Sequence, residues 1–380
     1  MARTSLAAFG RVPLGWRLVS HDWVRFAVTV SGTGAALALM LFLASAYDGV
    51  KVESNGYVAG RPAGAWVAQG NASNLVRATS FMNPAWPDIL RDSPAVGSVA
   101  PMLRLVLPVT IHGKSHTAFV WGIDPSLPAT RPTVVLGDAN LDPGEIILDR
   151  ALARKADVTI GGTVGVQDRT FRVAGLSVGT NAVMTQFTFV RLEEANELLP
   201  ITLRNVLSFL LITPKPGVSV DALVGDLRGR QDELNVLTSP EFVENNLDEL
   251  RSGLLPILGT IGIFGAAVGS LVLTLLVYSS VLERREDYAL LKAIGAGPGY
   301  VRRLVLGQCL LAVAWGYGFG FAICVAIRPV LAWAVPVFVM SLSWPASAVI
   351  GLAAIAMGLT SAWLPLHQIE RIYPAEVFRA

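Results

Sequence analysis

The sequence predicts a membrane protein of mixed α+β class: four transmembrane helices with a large extracytoplasmic α+β domain between helices 1 and 2. Three observations predict it. Residues 254–282 carry no charge, and residues 26–47, 304–327 and 345–366 form three further uncharged, largely apolar runs. A bilayer core needs about 20 such residues in a helix. Only 15% of the 380 residues are charged and 53% are hydrophobic, whereas soluble domains are about one-quarter charged. Between the first two runs lies a polar stretch, residues 48–253, long enough for one or two compact domains.

Taken in order, residues 1–25 form a basic leader with Arg3, Arg11, Arg17 and Arg25, and an apolar side from Leu14, Trp16, Leu18, Val19 and Trp23. This predicts a helix lying on the cytoplasmic membrane surface. Residues 26–47 are the first span. Ala44-Ser45-Ala46 looks like a signal-cleavage site, but the apolar run before it is longer than a signal peptide uses, so the span stays uncleaved. In the polar stretch, strands are expected at 65–68, 96–112, 115–123, 144–149, 158–164, 171–176, 185–190 and 207–213. Gly113-Lys114 is the expected hairpin turn. Helices are expected at 84–91, 150–155, 191–199 and 219–235, and an acidic helix at 240–250 runs into the second span as a stalk, all within residues 48–253. Strand and helix alternate, which gives the α+β class.

Residues 254–282 are the second span and 283–303 a charged loop; 304–327 are the third span, which Arg328-Pro329 is expected to end. Residues 328–344 read as an outer loop broken by Pro336, with Trp333 and Trp344 at an interfacial belt. Residues 345–366 are the fourth span and 367–380 the tail. Lys and Arg gather in the leader, the 283–303 loop and the tail. This predicts a multi-pass protein of the inner (cytoplasmic) membrane with both termini in the cytoplasm.

The 283–303 loop is the most patterned stretch. Arg284, Arg285, Lys292, Arg302 and Arg303 place it in the cytoplasm. Tyr288, Leu291 and Ile294 recur at helical spacing, Leu290 widens that face, and Glu286 and Asp287 precede it. Ala289, Leu290, Leu291, Lys292 and Ala293 are good helix formers. Gly295 suits the C-terminal cap, and the following Gly-Pro-Gly cannot continue the helix. A short amphipathic helix held between two spans is a docking element for a soluble partner. The competing reading is an ordinary positively charged loop, which does not require such ordered spacing.

Several chemistries find no support. There is no Walker A motif: Gly113-Lys114-Ser115 lacks the earlier glycine, where Pro108 stands. His112 and His116 are the only close histidine pair and have no third ligand nearby in sequence, so no metal is expected. Basic residues flank the spans and form no nucleic-acid surface. Cys309 and Cys324, both in the third span, stand about 22 Å apart along a helix, too far to pair. The spans hold no charged residue, which argues against ion-coupled transport and for an external energy source. Gly265 and Gly269 in span two, and Gly316, Gly318 and Gly320 in span three, permit close helix approach. For span three, packing inside the bundle is expected.

The stretch from Asp287 to Gly295-Ala296, Asp-Tyr-Ala-Leu-Leu-Lys-Ala-Ile-Gly-Ala, resembles the cytoplasmic-loop signature of FtsX-like (MacB-superfamily, type VII) ABC transporter permeases. In that family it is a coupling helix seated in a groove of a partner ATPase. The family's glutamate falls on Asp287, with Glu286 one place earlier. The tail around Arg371, Pro374 and Arg379 is similar to the family's ending, and residues 144–153 and 160–164 to its small β-rich insertion. Residues 119–124 are similar to the DevC branch, exporters that work with a membrane-fusion adaptor.

The resemblance implies the permease subunit of an ABC transporter, acting in export or mechanotransmission and not itself an enzyme. It implies a separate ABC ATPase holding ATP and Mg, with no cofactor in this chain. It implies contact with that ATPase through Glu286, Asp287, Tyr288, Leu290, Leu291, Lys292, Ile294 and Gly295. A second permease copy would pair along the first two spans with Gly265 and Gly269 at the seam. A membrane-fusion adaptor and membrane lipid complete the implied partners, and nucleic acid is not among them. Other readings stay open: a subunit for lipoprotein release like LolC or LolE, a regulator of cell-wall hydrolases like FtsX itself, or a membrane-anchored extracytoplasmic enzyme. The FtsX branch has a much smaller outer domain, and no catalytic constellation supports the enzyme.

Overall fold

The computed structural model describes residues 23–61, 64–70, 72–75, 80–182, 185–230 and 233–370. Most of the expected leader helix and the tail beyond residue 370 lie outside the described residues. The chain forms two compact units. One, a sheet domain, comprises Ala46–Pro256 with Pro329–Ser341; the other is a helical bundle of Met1–Ser45, Ile257–Arg328 and Leu342–Ala380.

Helix α1 (Trp23–Ala59) opens the described chain and is 37 residues long. It therefore runs past the span expected to stop at residue 47. Loss of hydrophobicity after Tyr47 marks the end of an apolar run, but the helix continues through Gly49 and Gly56 to Ala59.

The sheet domain is built on an 11-stranded sheet among the described residues. Its elements are β1 (Ala65–Gln69), α2 (Trp86–Arg91), β2 (Val96–Ile111), β3 (Lys114–Ile123), β4 (Val134–Gly137), β5 (Glu145–Asp149), α3 (Arg150–Lys155), β6 (Thr163–Val166), β7 (Arg169–Ser177), β8 (Asn181–Ala182), β9 (Thr185–Arg191), α4 (Leu192–Glu197), β10 (Phe209–Pro214), α5 (Val220–Arg230), β11 (Leu234–Thr238) and α6 (Ser239–Gly253). The strand order is β11-β1-β10-β2-β3-β9-β5-β7-β4, with β6 on β2 and β7, and β8 on β9. Pairings β3–β9 and β5–β7 are parallel.

Both faces of the sheet are covered, so side chains buried on alternate faces of one strand make continuous apolar runs. On β1, Trp66 and Ala68 face one core while Ala65 and Val67 face another. The first core is aromatic: Trp66, Trp121, Phe187, Phe189 and Phe209 meet Tyr57 from the end of α1 and Phe242 from α6. Trp66 and Phe242 stack with centroids 4.9 Å apart at 3°. The Tyr57 hydroxyl donates to the Thr130 carbonyl at 2.8 Å. On the opposite face lie Leu90 of α2, Leu152 and Ala153 of α3, Ala195 of α4, and Leu223 and Leu227 of α5.

Two local expectations are corrected. Residues 234–235, read as the end of a helix, begin strand β11, whose Val236 pairs with Val67 of β1; the helical pattern of α5 ran on by coincidence into an apolar strand. The β2–β3 turn is His112-Gly113, both with positive φ (49° and 76°), and Lys114 already pairs with Ile111. That is the two-residue loop whose twist matches a hairpin. Strands β4 and β8 are too short to leave a pattern. The acidic helix α6 starts with a capping box between Thr238 and Glu241, and the single turn residue Leu254 separates it from the next helix.

The bundle adds α7 (Leu255–Glu283), α8 (Arg285–Ala293), α9 (Pro298–Ala334), α10 (Trp344–Ser361) and α11 (Trp363–Glu370). Among the described residues, 4 helical stretches are long and apolar enough to cross a membrane: Phe26–Ala59, Leu255–Glu283, Pro298–Ala334 and Trp344–Ile369. Arg328-Pro329 does not end α9, which continues to Ala334. A proline inside a helix removes one backbone bond and bends the axis without stopping the chain.

Gly320 of α9 lies against α1: a Cβ there would stand 2.8 Å from Ala38 N and 2.9 Å from Gly34 O. Gly316 meets Thr33 and Gly34 in the same way. Gly316 and Gly320 of span three thus serve packing inside the bundle, as expected, whereas a Cβ on Gly318 would meet nothing within 4 Å. Gly265 and Gly269 of span two also meet helices of the chain itself. A Cβ on buried Gly269 would stand 2.7 Å from both Ala36 Cβ and Met357 Cε, and one on Gly265 3.5 Å from Leu39. Gly269 is thus packed against the chain's own α1 and α10, while Gly265 is half-buried beside α1, because small residues admit whichever helix is nearest. Cys309 and Cys324 are free thiols buried in the bundle.

Candidate functional site

The site is built around α8, between two spanning helices. Arg284 is the N-cap residue of α8, and Tyr288 N–H donates to the Arg284 carbonyl at 3.1 Å. Glu286 and Asp287 fall in the first turn, where carboxylates suit the positive end of the helix dipole. The far end closes as a Schellman motif. Gly295 has φ +93°, its N–H donates to Lys292 at 3.1 Å, and Ala296 N–H donates to Leu291 at 2.9 Å. Gly295 therefore takes the left-handed position that closes the motif just after the C-cap Ile294, as its place in the sequence foretold. Pro298 then opens α9 at a first-turn position where its missing N–H is no loss.

Helix α8 has two sides. Tyr288 is 5% exposed and Ala289 fully buried. Tyr288 packs in the bundle core with Val281, Val305 and Ile369, and Leu291 packs partly buried against it. Burial pushes the Tyr288 hydroxyl above its ordinary pKa. Lys292 Nζ donates to the Ile369 carbonyl at 2.7 Å, tying α8 to the end of α11. On the other side Glu286 and Asp287 are exposed, Leu290 is 53% exposed and Ile294 74%.

The structure thus divides the eight expected contact residues. Tyr288, Leu291 and Lys292 hold α8 in place, Gly295 ends it, and Glu286, Asp287, Leu290 and Ile294 face out. Tyr288 and Leu291, expected on the docking face, instead pack against the bundle. Helical spacing groups residues on a face, but it does not say which neighbour that face meets.

Two charged groups in the sheet domain are buried, a burial that the sequence did not signal. Arg104 is buried on β2, donates from Nη1 to the Leu75 carbonyl and lies 5.1 Å from the Phe119 ring centre; burial lowers its pKa to about 10. Asp149 caps α3, accepting from Ala151 N at 2.8 Å and Thr180 Oγ1 at 2.6 Å, yet burial still pushes its carboxyl above the ordinary range. His112 Nδ1 stands 3.2 Å from the Ala156 carbonyl, and His116 is held below its ordinary pKa by burial and by Lys155 and Lys114.

Comparisons with known proteins agree in order and extent. Residues 26–230 match the MacB-like periplasmic core domain family, and residues 259–374 the FtsX-like permease C-terminal family. An uncharacterized ABC transporter permease of Mycobacterium bovis is 25% identical over 357 residues, covering 93% of this chain and 95% of that one. Another, of Mycobacterium tuberculosis, is 25% identical over 362 residues with the same coverage of 93% and 95%. Among solved structures, the periplasmic region of MacB from Actinobacillus actinomycetemcomitans aligns with TM-score 0.37 and 16% identity, over 47% of this chain and 89% of that one. The extracellular domain of the ABC-type transporter YknZ from Gram-positive bacteria aligns with TM-score 0.34 and 12% identity, over 46% and 100%. The first family match alone spans more than half of the sequence, and the protein belongs to the MacB-like, FtsX-like family, as the permease subunit of an ABC transporter.

Proposed function

We propose that a separate ABC ATPase, carrying ATP and Mg, docks on the open side of α8 and drives this permease in export or mechanotransmission. One observation carries this reading: the two-sidedness of α8. Its buried side fixes it to the bundle, while Glu286, Asp287, Leu290 and Ile294 stay open. Exposed aliphatics at the centre of a small interface supply affinity, and flanking acids supply orientation. The family's glutamate falls on Asp287, with a second acid, Glu286, one place earlier.

The 283–303 loop and both termini then lie in the cytoplasm of a cell whose inner membrane the helices cross, and the sheet domain lies outside. Closure of the ATPase moves α8, and the helices on either side carry the motion onward. Two copies pair. Because Gly269 is covered within the chain, the seam uses the open side of α7 instead, where Phe264 is 67% exposed and Val268 58%. A membrane-fusion adaptor is the partner that the DevC-like stretch favours at the outer end.

The test is cysteine labelling in whole cells. A thiol at exposed Thr202 is expected to react from outside, and one at Ala296 only after permeabilisation. Reaction of Ala296→Cys in intact cells would reverse the topology and remove the docking surface from the ATPase's side.

A further inference from the structure

The segment Pro329–Ser341, made of the last turns of α9 and the chain leading toward α10, packs as part of the sheet domain. It is held along its length by three elements of that domain. From α3, Arg154 Nη2 donates to the Ala332 carbonyl at 3.1 Å. From β8, Asn181 Nδ2 donates to the Val337 carbonyl at 2.7 Å. Asn181 is itself 5% exposed and held by Gln186, whose Nε2 donates to its Oδ1 at 3.1 Å. From α1, Gly49 lies so close that a Cβ there would overlap the Val339 carbonyl oxygen and stand 3.3 Å from Met340 Cα. Met340 is 6% exposed.

The ties from Arg154 and Asn181 end on backbone carbonyls, so they grip the path of the chain and not particular side chains; Trp333, between them, is 80% exposed. The segment begins at Pro329, where α9 loses a backbone bond and can bend. The other end of α9 begins at Pro298, three residues after the Gly295 cap of α8.

We propose that Pro329–Ser341 is a coupling strap: Arg154, Asn181 and Gly49 bind it to the sheet domain, so that α9 becomes a load-carrying link from α8 to that domain. Coupling between distant sites travels through contiguous packed and hydrogen-bonded elements. The routes through α1 and through α6–α7 are continuous in sequence. This third route exists only while the strap is bound, which makes Arg154 and Asn181 positioning residues for energy coupling. The proposal rests on the reading that α8 receives the ATPase.

The test uses the full chain co-purified with its ATPase in lipid nanodiscs, and hydrogen–deuterium exchange with and without ATP, Mg and vanadate. Wild type is expected to show a nucleotide-dependent change both at residues 283–303 and in the sheet domain. In Asn181→Leu, and in Arg154→Met at an exposed side chain should the first misfold, residues 329–341 exchange faster. The sheet-domain response then falls by about fivefold or more, the lower end of ordinary coupling. ATPase stoichiometry and the response at 283–303 stay at wild-type level. Either of two results overturns the proposal: a full sheet-domain response with a released strap, or unchanged strap exchange in both variants. A wild-type chain that retains no ATPase instead overturns docking on α8, and the coupling proposal with it.

Discussion

If the ATPase covers the open side of α8, truncating Leu290 and Ile294 removes apolar surface that only the complex buries. Each change to Ala deletes three carbons, and a buried methylene is worth about 0.8 kcal/mol. Scaled by the 53% and 74% of these residues that the free chain leaves exposed, the losses are about 1 kcal/mol for Leu290 and about 2 kcal/mol for Ile294. Leu290→Ala with Ile294→Ala should therefore weaken ATPase binding by about 3 kcal/mol, roughly a hundredfold in Kd. Tyr288→Ala makes the opposite pattern. Its ring packs inside the bundle, so the folded variant should bind the ATPase within about threefold of wild type while melting earlier. The assay is biolayer interferometry of nanodisc-held permease against the nucleotide-free ATPase, paired with a thermal melt of each variant. Binding by the double variant within about threefold of wild type would refute the docking surface, as would an equal loss in Tyr288→Ala.

Asp149→Asn should flatten the pH dependence of stability. The folded carboxyl is pushed up by burial, so ionising it costs stability, and that cost grows as pH rises from the ordinary carboxylate range through the raised folded value. Asparagine keeps an acceptor for Ala151 N–H, so the variant should gain on wild type between acidic and neutral pH in thermal melts; a constant difference refutes this. Phe242→Ala removes a fully buried ring stacked on Trp66 and should cost about 3–5 kcal/mol, read as an earlier melt of the sheet domain. Gly269→Leu overpacks the meeting of α1, α7 and α10 and should lose monodisperse protein in detergent, whereas Gly262→Leu, with nothing within 4 Å, should be tolerated. Equal behaviour of the two would return Gly269 to a seam between copies.

The sequence was most readable where one physical requirement dominates. Charge-free runs located every span because hydrocarbon tolerates little else. They misjudged the ends of α1 and α9, because a helix can outlast its apolar stretch: α1 runs on to Ala59, and α9 passes through Pro329 to Ala334. In the sheet domain, the helix at 150–155 was readable because Asp149 is a strong cap. Strand β11 was not, because its burial depends on pairing with β1, which lies about 170 positions earlier in the chain. No local pattern reports such a pairing.

The candidate site shows the same division more sharply. Residues 283–295 were legible as a capped helix, since the acidic first turn, the helix formers and Gly295 all act locally, and the Schellman hydrogen bonds follow from them. Which side of that helix is free was not legible. Tyr288, Leu291 and Ile294 look alike in sequence, but Ile294 is the capping residue, where the chain already turns away, and stands 74% exposed, while Tyr288 at 5% meets residues from α7, α9 and α11. The same holds for Gly269, a small residue whose partner among several helices only the tertiary structure selects. A partner surface on a small helix is what remains after the chain has satisfied itself. The contact residues we propose are accordingly those left when the buried side is subtracted from the amphipathic pattern: Glu286, Asp287, Leu290 and Ile294.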